Sequence, residues 1–439
     1  MPSAFSTGLS GLRAHSRAVE VVANNLANLN TTSFKGSRSD FRDLFYQQIG
    51  QSRSGVASQV GIGAAPITVS RRFEQGTIQT TGGLLDAAIQ GEGFFVVRDG
   101  DLEMFTRAGN FQLNSNQELV GVNGEAVMGW VRDRGNGLVN TMRPEQPITL
   151  QGNDRIEPTA TENLTIRANL QTGSTLPFSR PIQIFDSLGS PHILTLTFTP
   201  ATPTGTNSAA YTVTATLPAN DVVDLNTGVP PSSDPNMVDP AGNPSFVIEF
   251  DENGEMVVPG DPYTASLDMG AMNAPNGYAF ANGAAPMQIT WDFLDEVGQP
   301  RITSVDASSE VSDLFQDGSA SAELVSISVA DGGRINGTYS DGRTLLLAQL
   351  AMARFTNSQA LQAVGNNNFV VTAAAGLPIK GEANTAGLGS IVGLSLEGSN
   401  VDIAQEFTNL LTYQRGFQAN SRVITTADEL NQEALNLKR

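Results

Sequence analysis

The sequence predicts a multidomain, mainly β protein bounded at both ends by α-helices. Three observations carry that reading. Residues 3–29 and 400–437 show apolar side chains at helical spacing over long stretches. The intervening chain alternates short apolar runs with turn residues, and 44 Gly and 22 Pro in the whole chain point to many turns. Charge is divided unevenly: residues 151–321 carry 4 Lys and Arg against 21 Asp and Glu, whereas residues 1–72 carry 8 against 3. At 439 residues the chain suits two to four domains.

The N-terminal helix carries Phe5, Leu9, Leu12, Ser16, Val19, Ala23 and Leu26 in alternating steps of four and three. That is the a/d rhythm of a narrow coiled-coil seam. Ser16 and Ala23 bury little area, so the helix alone is marginal in water. The C-terminal helix repeats the rhythm with Ile403, Phe407, Leu410, Gln414, Phe417, Ser421 and Ile424, continued with a shift by Leu430, Ala434 and Leu437. Asn400 reads as its cap, Asp402 as an acidic first turn, and Lys438 and Arg439 as cations at its end. Matching end helices form a coiled coil and suit a chain that assembles through its ends and displays its middle.

Residues 31–70 read as a linker, polar and rich in Ser, Gln and Gly, with apolar anchors at Phe41, Leu44, Phe45, Tyr46 and Ile49. From about residue 71 strands and turns take over. Gly93-Phe94-Phe95-Val96-Val97 is a strand, and Asn123-Gly124 is a hairpin turn between 118–120 and 127–130. Residues 322–399 return to the same style, with turns at Asp331-Gly332, Asn336-Gly337 and Asp341-Gly342. We therefore read 71–150 and 322–399 as one discontinuous β-domain, interrupted by an acidic outer β-domain at 151–321. The insert reads as antiparallel, with strands at 193–198 and 211–215 and a long Pro/Asp/Asn/Gly stretch from Asn220 to Pro244.

Chemistry is absent from the pattern. There is no Cys, and His15 and His192 are the sole histidines, which leaves no His-based triad or usual zinc site. Gly8-Leu9-Ser10-Gly11 lacks nucleophile-elbow spacing. Gln90-Gly91-Glu92-Gly93 lacks the third glycine and the βαβ context of a dinucleotide loop. Asp251-Glu252-Asn253-Gly254-Glu255 reads as an acidic hairpin tip, and Asp295-Glu296 has no apolar pocket to raise a pKa. No catalytic, cofactor or metal site is expected. A net charge of −19 argues against nucleic acid and anionic membrane surfaces. No 18-residue apolar run predicts membrane insertion, and Met1-Pro2-Ser3-Ala4-Phe5 lacks the features of a Sec signal.

Four stretches together resemble one family, the bacterial flagellar hook and rod axial proteins. They are Ala23 to Lys35, with Ser33 where the family usually has Gly; Ala88 to Val97; Phe105 to Phe111 with Asn123-Gly124 and Gly129-Trp130; and Glu397 to Asp402 with Tyr413-Gln414-Arg415 and Thr426 to Leu430. Less specifically, Ile184 to His192 resembles the start of an outer hook domain. The large acidic insert favours a hook subunit; the alternative is a distal rod subunit, which has little between the halves of its core domain. The resemblance implies an extracellular structural subunit, exported by the flagellar type III apparatus without a cleaved signal peptide. It would polymerise with itself into a flexible tube that passes motor torque to the filament. Rod, hook-cap and hook–filament junction proteins would be its neighbours. The assembly interface would include Leu9, Leu12, Val19, Leu26, Phe407, Leu410, Phe417 and Ile424. Asn24, Asn25, Asn28, Thr31, Phe34 and Lys35 would fix the helix-to-linker turn. Asn400, Asp402, Gln414 and Arg415 would make polar contacts between subunits.

Overall fold

The computed structural model describes residues 2–44, 46–51, 57–133, 138–150, 152, 155–203, 207–218, 221–224, 246–257, 264–269, 278–285, 287–295 and 297–436. Leu437, Lys438, Arg439 and residues 225–244 of the long Pro-rich stretch lie outside the described residues. The chain divides into two compact units, Met1–Asp154 with Val325–Arg439, and Arg155–Leu324.

In the first unit, helix α1 (Pro2–Ala27) and helix α2 (Ile403–Asn436) pack antiparallel. Glycines set the closeness of that contact. A Cβ on Gly8 would lie 3.1 Å from Ile424, one on Gly11 would lie 2.5 Å from the Asn420 amide, and one on Gly416 would lie 2.6 Å from the His15 ring. The buried stripe of α1 is Gly8, Ala14, Ala18, Val22 and Asn25. It lies beside the predicted seam, not on it. Phe5 and Ala23 are exposed, and Leu9, Leu12, Ser16, Val19 and Leu26 are half-buried. Small side chains let two backbones approach, so the helices meet on their smallest faces and leave larger apolar groups at the margins.

The predicted linker is more ordered than its composition implies. Ser37–Asp40 pairs antiparallel with Thr68–Arg71, and Tyr46–Gln51 pairs with Ala57–Gly61. Ile67 joins Ala14 and Ala18 in a small core, and His15, Phe41 and Tyr413 form an aromatic trio with centroids 5.1–6.2 Å apart. The Ser10 hydroxyl accepts a hydrogen bond from the Ala64 N–H at 3.1 Å. These polar strands are held through backbone bonds, which carry no side-chain periodicity.

The remainder of the first unit is a β-sheet built from chain on both sides of the second unit. Strand Ala126–Val131 pairs with both Phe94–Asp99 and Thr344–Leu350. Phe94–Asp99 also pairs with Leu102–Thr106 and with Met352–Arg354. Ala87–Gln90 pairs with Ser390–Gly393, and Ile78–Thr80 with Ser395–Glu397. The core stacks Phe94, Phe105, Phe355 and Phe369 edge to face with Met128 and Trp130. Gly129 is required here, because a Cβ would stand 2.2 Å from the Gln349 carbonyl oxygen.

The second unit has two five-stranded sheets around one core. Pro191–Ala201 shows why: His192, Leu194, Leu196 and Phe198 alternate inward along it. Its sheet runs Phe178–Phe185, Pro191–Ala201, Ala209–Thr216, Phe246–Phe250, Met256–Val257, all antiparallel. The other sheet departs from the antiparallel expectation. Asn163–Asn169 runs parallel to Met287–Asp292 and to Ile302–Thr303, with Glu310–Gln316 antiparallel to it. Such pairing joins strands far apart in sequence, so no hairpin signal announces it. The acidic stretch from Asp251 is a hairpin turn, in which the Asp251 carboxylate accepts from the backbone N–H groups of Asn253 and Glu255. The Ile184-to-His192 stretch is another. Burial would raise the Asp186 carboxyl, yet hydrogen bonds from His192, Asn282, Ser190 and Leu188 hold it below the usual carboxylate range.

Trp291 is fully buried at the centre of this core, against Phe198 and Phe293. Trp291→Ala is expected to destabilise the second unit by about 3–5 kcal/mol. Calorimetry checks this: the transition of the second unit should fall while that of the first stays in place.

Candidate assembly surface

A buried ion cluster anchors the base of the terminal helices. Lys35 Nζ lies 2.7 Å from Glu397 Oε1, with both side chains fully buried. Arg107 Nη1 stands 3.6 Å from the other oxygen, Oε2. Glu397 also accepts the Gly76 N–H at 2.8 Å, and Lys35 donates to the Glu74 carbonyl at 2.8 Å. One carboxylate thus joins the chain after α1, the strand region near 76, the β-core and the chain before α2. Burial holds the Lys35 ammonium below the usual lysine range, and Glu397 opposes that shift. Arg107 is lowered by burial in the same way.

Ser33 sits above this cluster with φ +57°. A left-handed conformation costs a non-glycine residue roughly 1–2 kcal/mol. The Ser33 hydroxyl donates to the Arg107 carbonyl at 2.7 Å, and its N–H donates to the Glu397 carbonyl at 2.8 Å. Those bonds hold the strained residue in place.

The predicted turn residues fall around the same junction. Asn25 is buried and clamps Ser37, donating to its carbonyl at 2.8 Å and accepting its N–H at 2.9 Å. The Asn28 side chain donates to the Asn24 carbonyl and accepts from the Thr31 hydroxyl. The Phe34 carbonyl accepts the Asn400 N–H at 3.3 Å, and the Phe34 ring is half-buried. Asn400, read as a helix cap and a contact between subunits, uses its side chain within the chain. It accepts the Gly36 N–H at 2.8 Å and donates to the carbonyls of Arg72 and Glu74. Asp402 is the cap: its Oδ1 accepts the Gln405 N–H at 3.0 Å. Arg72 adds an ion pair to Glu406 at 3.0 Å.

Above this base, α2 is largely uncovered by its own chain. Ile403, Phe407 and Leu411, spaced one turn apart, are 48%, 52% and 57% exposed. Phe417, Gln414 and Arg415 are exposed as well, while Leu410 and Ile424 are half-buried. The predicted seam of Phe407, Leu410, Phe417 and Ile424 divides: Ile424 lies against Gly8 of α1, whereas Phe407 is 52% exposed. No group of three or more His, Cys, Asp or Glu placed to hold a metal exists among the described residues.

Comparison with known proteins shows the family of the chain. Four family models match in chain order: Flagella basal body rod protein at 5–35, Flagellar hook protein FlgE/F/G D1 domain at 88–172, Flagellar basal body protein FlaE D2 domain at 137–319, and Flagellar basal body rod FlgEFG protein C-terminal at 394–437. The flagellar hook protein FlgE of Treponema pallidum is 31% identical over 473 residues, with 100% of both chains covered. That of Borreliella burgdorferi is 31% identical over 478 residues, again with 100% of both covered. That of Escherichia coli K12 is 29% identical over 451 residues, covering 99% of this chain and 100% of the other. The chain belongs to the flagellar hook protein family. It is a structural hook subunit, a component of the extracellular flagellum, and not an enzyme. No helix among its described residues is long and apolar enough to cross a membrane.

Sequence reasoning missed two parts of this hook subunit. Arg107 and Glu397 stand inside the motif stretches, but nothing local pairs them with Lys35, and Glu397 meets Lys35 across 362 residues of chain. The Tyr413 ring was noted only as part of a motif. Its packing on His15 and Phe41 could have been suspected from three aromatic or imidazole groups on otherwise polar stretches. Ser33 did leave a signal, since glycine is usual at its position in the resembling family and its positive φ supplies the physical reason.

Proposed function

We propose that copies of this hook subunit assemble into the tube through the open faces of α1 and α2. The observation that carries the proposal is the exposed row Ile403, Phe407 and Leu411 on a helix that contacts its own chain through other residues, Glu406, Tyr413, Gly416, Asn420 and Ile424. Covering each of those side chains would contribute on the order of 1 kcal/mol, since each is already about half-buried. Repeated along a polymer, such increments suffice to order a helix pair that is marginal in a monomer. Leu9, Leu12, Val19, Leu26, Leu410, Phe417 and Ile424 would flank that row. Asp402, Gln414 and Arg415 would add polar contacts. The Lys35–Glu397–Arg107 cluster, with Asn24, Asn25, Phe34 and Asn400, would hold the helices at a fixed angle to the β-core.

Growth of this kind is heterologous and helical, which yields an open tube. The tube would serve as a flexible joint passing torque to the filament. The acidic second unit would form its outer layer, where wet, screened contacts remake at low cost as the joint turns. Rod, hook-cap and hook–filament junction proteins would meet the ends of the tube, and the flagellar type III export apparatus would deliver the subunits.

Hydrogen exchange tests the assembly reading. Amides of α1 and α2 should exchange quickly in the purified monomer and become protected in assembled hooks. Equal protection in both states would count against it.

A further inference from the structure

Helix α2 is longer than α1, and its end extends past the first turn of α1. The antiparallel register sets Gly8 beside Ile424, Gly11 beside Asn420 and Gly416 beside His15. On that register the first residues of α1 stand level with about residue 429, so the last two turns of α2 project beyond α1 by roughly 10 Å. Leu430 there is 47% exposed, and Glu429 and Glu433 are exposed beside it. Helical spacing puts these three on one face.

A groove on the same unit complements that face. It has a volume of about 600 Å³ and lies between α1 and the chain leading to Ile67. Leu12, Leu44 and Pro66 are among its apolar lining, and Arg13, Arg17 and Glu20 are its charged lining. Among the described residues, neither arginine makes an ion pair, and neither do Glu429 and Glu433. Both pairs are spaced i, i+4, so two arginines one turn apart can meet two glutamates one turn apart.

We infer that the projecting end of α2 from one copy docks in the α1 groove of a second copy, Leu430 on Leu12 and Leu44, Glu429 and Glu433 on Arg13 and Arg17. This rests on the reading that copies of the chain are neighbours in the tube. It adds the specific contact that links them end to end. Each copy offers one groove and one projecting end, so the contact is heterologous and propagates as an open helix wherever its rotation does not close a ring.

The chain has no Cys, which permits a direct test. On the register above, Leu12 and Leu430 of one molecule stand about 16 Å apart along the helix pair, too far for a disulfide. In hooks isolated from a strain making the Leu12→Cys, Leu430→Cys chain, mild oxidation should give a ladder of covalent multimers. Arg13→Glu with Arg17→Glu should lower the yield of hooked basal bodies about tenfold. Adding Glu429→Arg with Glu433→Arg in the same chain should restore it. Hooks that form without a ladder, or a charge-reversed yield that the compensating pair leaves unchanged, would overturn this contact alone. An unaltered chain that builds no hook in its own strain would instead remove the reading beneath it.

Discussion

Glu397→Gln is expected to destabilise the first unit by about 3–5 kcal/mol. Lys35 and Arg107 would be left buried beside a neutral amide, and an uncompensated buried charge is far more costly than the intact pair is favourable. The substitution keeps the shape of the side chain, so the Gly76 N–H and the surrounding packing are retained and the loss reports charge alone. Each unit has one tryptophan, Trp130 in the first and Trp291 in the second. In a Trp291→Phe background, Trp130 fluorescence during urea unfolding follows the first unit separately. A midpoint unchanged by Glu397→Gln would mean that the cluster contributes nothing to holding the helices on the β-core.

Phe407→Asp with Leu411→Asp should abolish hook growth while leaving the monomer folded. Both side chains are more than half exposed in the single chain, so the monomer loses little. In the tube, each carboxylate would enter an apolar contact without a partner. A penalty of about 3 kcal/mol per contact raises the subunit concentration needed for growth roughly 100-fold. Electron microscopy should find basal bodies ending at a complete rod, and the secreted subunit should have the unfolding curve of the unaltered chain. A variant subunit that is itself unfolded, or hooks of normal length, would refute a separation between folding and assembly faces.

That distinction explains where the sequence was legible. Periodicity located both helices, because an apolar residue every three or four positions has no other simple cause. It did not identify which face closes within the chain. Apolar rank selects Phe5, Leu9 and Leu12, whereas the intrachain contact selects Gly8, Ala14, Ala18 and Gly416, which let the backbones approach. The large apolar groups mark what the monomer leaves open. Turn residues delimited the β-core strands, since Gly129 and the Asn123-Gly124 turn have local requirements. The pairing of Asn163–Asn169 with Met287–Asp292 has none, because it joins strands more than a hundred residues apart. The linker strands failed to register for a related reason: Ser37–Asp40 and Thr68–Arg71 pair by backbone, and their side chains are polar except for Val69, which is exposed. At the junction, Asn25 and Lys35 could be singled out from the resemblance. Their partners Ser37 and Glu397 could be found only once the chain was folded.

The most direct test of the account is a reconstruction of the assembled hook at a resolution that shows side chains. Ile403, Phe407 and Leu411 should be covered by a helix of a neighbouring copy, with the Lys35–Glu397–Arg107 cluster intact at the base of every subunit. Those three side chains facing an open channel, with the contacts between copies made elsewhere, would contradict it.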